Sequence, residues 1–281
     1  MVRSIGFGCA SNNDAVLAAN LAASPDLLAG ARLDVQRNAP SATLAGNRLL
    51  DAAQDDILVL LHHDVWLPRG WLALLHQRLD ELERIDPAWA VAGAFGVAPD
   101  YRQWGPVWTS SLGQIVGRVP MQPEPVQSLD EMLIVIRRAS GLRFDEAMPG
   151  WHFYGTDIVC QARKAGMGAY ALGLPCIHND RFDKGLGADF TDGYRRMQRK
   201  WAEFLPVQTP VTKISRSGLH LMRERWNMRQ SLKFRVVDAV PTETPPQPLA
   251  QRCGWLDLSA NLGPAGGPEG KEPPCDRGRV T

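Results

Sequence analysis

A chain of 281 residues with 44% hydrophobic side chains can bury a core of domain size, which excludes a small module stapled by disulfides or metal. Its 31 Lys and Arg nearly balance 30 Asp and Glu, and a net charge of +1 gives no ground for a nucleic-acid partner. Cys9, Cys160, Cys176, Cys253 and Cys275 are scattered without a CxxC pair, which argues against a zinc ribbon or disulfide framework and fits a reducing cytoplasm. No leader-like segment opens the sequence and no apolar run approaches the ~20 residues of a membrane span, so a soluble cytoplasmic protein is expected.

Ser4 to Cys9 reads as a first strand, followed by the polar turn Ser11, Asn12, Asn13 and Asp14 and a helix with Leu17 and Leu21 on its apolar face. Asn and Asp at such a turn can cap the helix or hydrogen-bond a nucleotide. Leu33 to Gln36 suits a second strand and Ala42 to Gln54 a second helix. The stretch ILVLLHHDVWLPRGW, residues 57 to 71, then sets a buried apolar strand directly against His62, His63 and Asp64. Ligands of α/β sheets gather at the carboxyl ends of strands, so Asp64 is either a metal-binding carboxylate or part of a polar strand end and helix cap.

Pro68 suits the first turn of a helix carrying Trp71, Leu75, Leu79 and Leu82, which should stop near Asp86. Trp89 to Val97 reads as another buried strand. In the Gly-, Pro- and aromatic-rich stretch that follows, Trp104 and Trp108 suit either a loop over a cleft, where indoles stack on an acceptor sugar, or ordinary loop packing. A further apolar run, Met132 to Ile136, is framed by Asp130 and Glu131 before it and Arg137 and Arg138 after it. Thr156 can cap a helix that begins at Asp157 and ends at Gly166, with the helix dipole favouring an ionised Asp157. Ala169 to Leu172 reads as an edge strand leading to Cys176, Ile177 and His178.

Between Arg181 and Val237 stand 13 Lys and Arg against 5 Asp and Glu, on two helical stretches, Thr191 to Phe204 and Leu219 to Phe234. A solvated face is one reading of that charge; a partner protein or peripheral contact with a membrane surface is another. The chain thus divides into residues 1–182, a basic helical extension over 183–237, and a Pro- and Gly-rich tail over 238–281 expected to be disordered or weakly attached.

The segment WHFYGTDIVCQARKAG followed by CIHND, with HHD upstream, resembles a bacterial glycosyltransferase-like domain related to glycosyltransferase family 2 across roughly residues 3 to 182. That resemblance implies the GT-A fold, a mostly parallel mixed sheet flanked by helices, and transfer of a sugar from a nucleotide-diphosphate donor to a saccharide or other hydroxyl acceptor. HHD stands where the family carries DxD. The resemblance therefore implies a metal site of His62, Asp64 and His178 for Mn²⁺ or Mg²⁺, with imidazoles favouring Mn²⁺. It implies donor contacts from Asn13, Asp14, Gln36 or Asp34, and His62, acceptor contacts from Trp151 and His152, and Asp157 as the base of an inverting reaction. The alternative is a catalytically inactive sugar- or nucleotide-binding module that docks through its basic segment. A zinc hydrolase is disfavoured because the helical HExxH spacing is missing.

Overall fold

A computed structural model describes residues 3–180, 187–238 and 244–259, with side chains beyond residue 230 of the Leu219–Asp238 helix left undescribed. The last 22 residues of the tail lie outside the described residues. Seven strands form the main sheet in the order Glu124–Pro125, Gly168–Ala171, Trp89–Gly93, Leu133–Arg137, Ile57–His62, Ile5–Ser11 and Leu33–Arg37. Ile5–Ser11 runs parallel to both neighbours, Leu133–Arg137 antiparallel to both of its own, and Gly168–Ala171 parallel to Trp89–Gly93. Five of the seven strands therefore share one direction. This is the expected α/β architecture of a mostly parallel, mixed sheet between helix layers.

The apolar run at Ile57 is a central strand because both of its faces are covered. Ile57, Val59 and Leu61 point into a cluster with Leu74, Leu75 and Leu79 of the Trp71–Ile85 helix. Leu58 and Leu60 point the other way, into a cluster with Leu49 and Leu50 of the Ala42–Ala52 helix and Ile158 of the Tyr154–Lys164 helix. Side chains that alternate between two buried faces need an unbroken apolar run. The Trp71–Ile85 helix begins after Pro68 rather than on it, with Gly70 as its cap in the left-handed region at φ 77°. Gly168–Ala171 is not an edge strand, since Glu124–Pro125 pairs along its outer side.

A second, four-stranded sheet runs Val65–Trp66, Cys176–His178, Val107–Thr109, Gln114–Val116. Its register sets His178 opposite Val65, and the chain between Ile57–His62 and Val65–Trp66 is only His63 and Asp64. The two expected metal-binding stretches, 115 residues apart in sequence, thus meet at one corner of the fold.

The basic extension is a docked layer. The Ala188–Lys200 helix starts three residues before the expected Thr191 and buries Phe190, Tyr194, Met197 and the adjoining Trp201 against Met148, Phe153 and Cys160. The expectation of a weakly attached tail is corrected for residues 244–259. There the Pro246–Arg252 helix lays Leu249 and Ala250 against Trp66, Trp108 and Ile177, and Leu258 enters the main core. Among the described residues no helix is long and apolar enough to cross a membrane.

Candidate active site

A cavity of about 380 Å³ opens at the carboxyl ends of Ile5–Ser11 and Ile57–His62. Gly8, Ala10 and Asn12 form its floor on one side, Ala45, Gly46 and Leu49 a helical wall, and His62, His63, Asp64, Glu131, Tyr154, Trp151 and His152 its polar rim. Small residues on the strand and helix leave the volume open; at Gly46 an added Cβ would meet the Phe144 ring at 2.7 Å.

His62, Asp64 and His178 each offer a ligand atom within 4.8 Å of the others. Asp64 Oδ1 is buried and has no hydrogen-bond donor on it, while His178 Nε2 stands 3.4 Å away. A buried carboxylate oxygen without a donor is costly unless a cation supplies the missing interaction. Burial would lower the His178 pKa, but the Asp64 charge outweighs it and raises it to about 9. Burial likewise opposes ionisation of Asp64, yet the neighbouring imidazoles, His178 foremost, hold that carboxyl far below the usual range. A metal would take the place of a proton on His178, since a ligating imidazole is neutral. Two imidazoles and one carboxylate fit a divalent cation and favour Mn²⁺ over Mg²⁺.

His62 is oriented from behind. Its Nε2 lies 3.0 Å from the Tyr154 hydroxyl, which donates its one hydrogen to the Glu131 carbonyl at 3.1 Å. The hydroxyl can then only accept from His62, so Nε2 carries the imidazole hydrogen and Nδ1 keeps its lone pair. Burial pushes the His62 pKa down and favours that neutral form. Outer partners of this kind fix ligand tautomers, and their loss costs about 10–100-fold in metal affinity. Tyr154→Phe is therefore expected to weaken Mn²⁺ binding by about 10-fold or more, read by titration calorimetry, with little change in fold.

The other expected site residues divide. Trp151, with 41% of its surface exposed, and His152 stand on the cavity rim. Trp104 and Trp108 do not, and their expected acceptor role is corrected: both are buried. Trp104 packs in the core beside Val126 and Leu129 under Arg102, and Trp108 packs on Trp66 and Ile177 with its indole N–H donating to Ser110. Asn13 caps the Asp14–Ala19 helix by accepting from the Ala15 and Val16 amides, and Asp14 pairs with Arg37 at 3.0 Å. Gln36 pairs in register with Ala10 on the outermost strand, beside rather than in the cavity lining.

Asp157 lies elsewhere. The helix begins at Tyr154 after Phe153 turns through φ 68°, so Thr156 is not its cap and Asp157 is its fourth residue. Its carboxylate, 1% exposed, accepts from Lys200 Nζ at 2.7 and 2.9 Å, Trp201 Nε1 at 2.7 Å and Gln161 Nε2 at 2.7 Å, and it is not among the cavity-lining residues. Sequence reasoning missed Glu131 and Tyr154 as site residues. The signal for Glu131 was its place just before an apolar run; because that strand runs antiparallel to Ile57–His62, its start lies beside the end that marked His62 and Asp64.

No family model matches the chain. A curated relative, "ATP synthase subunits region ORF 6" of Fuscovulum blasticum, is 28% identical over 169 residues, 56% of this chain; the match spans 62% of the relative, under two thirds of its length. Similar solved structures include GalNAc-T7 with UDP, GalNAc and Mn²⁺, at 12% identity and TM-score 0.48 over 73% of this chain and 50% of that one. Another is the mannosyltransferase PcManGT of Pyrobaculum calidifontis in complex with GDP-Man and Mn²⁺, at 13% identity and TM-score 0.41 over 93% and 79% of the two chains. A third is glucosyl-3-phosphoglycerate synthase of Mycobacterium tuberculosis in complex with Mg²⁺ and UDP, at 14% identity and TM-score 0.42 over 75% and 82%.

Proposed function

We propose that this protein is an inverting, metal-assisted glycosyltransferase of GT-A type, moving a sugar from a nucleotide-diphosphate donor to a hydroxyl acceptor. The observation that carries the reading is the convergence of His62, Asp64 and His178, the first two lining a cavity at the carboxyl ends of the central strands. That is where α/β sheets bind ligands. His62, Asp64 and His178 would hold the cation, whose charge offsets the negative charge on the departing diphosphate.

The chain's own residues supply the rest of the site. Tyr154 holds the His62 tautomer, the glycine- and alanine-lined wall gives room for the donor, and the exposed Trp151 indole offers a flat apolar face to an acceptor ring. The polar turn at Asn12 supports a donor contact, with Asn13 and Asp14 holding the turn behind it. Peripheral contact with an anionic membrane surface belongs to the same reading. It is supported by Leu219, Met222 and Trp226, each more than 60% exposed, interleaved with exposed Arg223 and Arg225.

The test is a calorimetric and turnover panel of UDP- and GDP-sugars with Mn²⁺, Mg²⁺ or EDTA. Binding and slow donor hydrolysis that need the cation are expected. Nucleotide binding without turnover would instead mark an inactive binding module, and no binding by any donor would remove the transferase reading.

A further inference from the structure

Inversion at the anomeric carbon requires a group to take the acceptor's proton, and the cavity offers two carboxylates, Asp64 and Glu131. Asp64 belongs to the cation group. Asp157 is sealed behind the cavity wall with its oxygens taken by Lys200, Trp201 and Gln161. Removing it from that cage to meet a hydroxyl would leave the buried Trp201 N–H without its acceptor and Lys200 with Asp145 alone.

Glu131 is placed differently. It enters from the residue just before the Leu133–Arg137 strand's apolar run, is half-buried, and lines the same cavity as His62 and Trp151. Its Oε1 accepts from the Gly155 amide at 3.3 Å, at the start of the Tyr154–Lys164 helix. Gly155 makes that approach possible: a Cβ there would stand 3.3 Å from the carboxyl oxygen and 2.7 Å from the Leu129 carbonyl. The Glu131 carbonyl is anchored as well, by Tyr154. Backbone amides, those of Gly155 and Phe153 among them, hold this carboxyl in place on the cavity lining.

We propose that Glu131, rather than Asp157, is the general base, an assignment that rests on the transferase reading above. The acceptor oxygen forms a bond to the anomeric carbon as its proton passes to the Glu131 carboxylate. The carbon–oxygen bond to the diphosphate breaks, and its electron pair leaves with the nucleoside diphosphate. Charge is balanced, because the carboxylate's negative charge is neutralised while the leaving group gains one.

The surroundings suit that task. Burial, and then the charge of Asp130, raise the Glu131 carboxyl to about 8, while the Gly155 amide works in the opposite direction. Tyr154 faces it from the helix, His62 stands at the end of the neighbouring strand, and Asp64 lines the same cavity. A base whose pKa lies near the working pH both holds and releases a proton readily.

The experiment compares wild type, Glu131→Gln, Glu131→Asp and Asp157→Asn in Mn²⁺-dependent UDP- and GDP-sugar hydrolysis, with UDP and GDP binding measured separately. Gln keeps an oxygen for the Gly155 amide, so Glu131→Gln is expected to fold, to bind nucleotide and Mn²⁺ within about twofold of wild type, and to lose roughly 10²–10⁴ in kcat. Glu131→Asp, which withdraws the carboxylate, should lose at least about tenfold in kcat with KM little changed. Folded Asp157→Asn should keep turnover within about threefold of wild type, the spread left by its structural role. Glu131→Gln with near-wild-type kcat, or folded Asp157→Asn without turnover, overturns the assignment while leaving the transferase reading intact. Wild type that binds no nucleotide overturns both.

Discussion

Asp64→Asn should lose Mn²⁺ affinity by at least about 100-fold, and with it nearly all cation-stimulated turnover, because a direct ligand costs more than the 10–100-fold typical of the groups behind it. The amide keeps the shape but removes the charge on which two imidazoles converge. His178 supplies an independent readout. Its pKa stands at about 9 because Asp64 overrides burial, so in Asp64→Asn it should fall by at least a unit, visible in the imidazole proton shifts during an NMR pH titration. An unchanged His178 titration would show that the two side chains are not coupled in solution. An unchanged Mn²⁺ isotherm would show that the cation binds elsewhere.

Asp157→Ala should destabilise the protein by about 3 kcal/mol, the lower part of the range for breaking a buried ion pair, because Lys200 keeps Asp145 as a second partner at 2.8 Å. For a chain of this size that is roughly 6–12 °C in melting temperature by calorimetry. Lys200→Met should cost a similar amount by leaving the Asp157 charge with only the Trp201 and Gln161 donors. The double substitution Asp157→Ala with Lys200→Met should lose less than the sum of the two, since no charge of the pair is then left buried and unpaired. A sum equal to the two single losses would show that the pair does not act as one unit.

The same cluster predicts an acid transition. Burial would raise the Asp145 carboxyl, but hydrogen bonds from Lys200 and Arg196 lower it from 3.8 to about 2. A depressed carboxyl contributes stability that is present above its unfolded value and lost as pH falls toward the folded one. The docked helix should therefore loosen between about pH 4 and pH 2, followed by Trp201 fluorescence, and Asp145→Asn should remove that dependence.

Much of this arrangement was legible because short-range pattern decides it. The run Ile57 to Leu61 could only be a strand covered on both faces, and His62 and Asp64 followed from where it ends. The Trp71, Leu75, Leu79, Leu82 spacing marked a helix stopping near Asp86, and the helix runs Trp71–Ile85, starting after the expected Pro68. What escaped depends on partners far away in sequence. Asp157 reads as an available carboxylate until Lys200 and Trp201, more than 40 residues later, fold over it. Trp104 and Trp108 sit in a stretch with loop composition, and only their tertiary neighbours make them core. Glu131 looked like a polar bracket around an apolar run, because nothing local says that Gly155 will come to rest against its carboxyl.

The segment after residue 244 carries a consequence for biosynthesis. Leu249 and Ala250 cover Trp66, Trp108 and Ile177, Leu258 fills the main core, and the Leu258 amide donates to the Arg69 carbonyl at 2.8 Å. Gly70 is glycine at the point where Ser259 crosses it, with room for no side chain. A nascent chain therefore emerges from the ribosome with two large indoles still uncovered, although the cavity lining, from Gly8 to Tyr154, and His178 have already been translated. Domains whose apolar surface waits for late residues are the ones that depend on chaperones during synthesis. In this protein the site would be assembled before the fold that shelters it is closed.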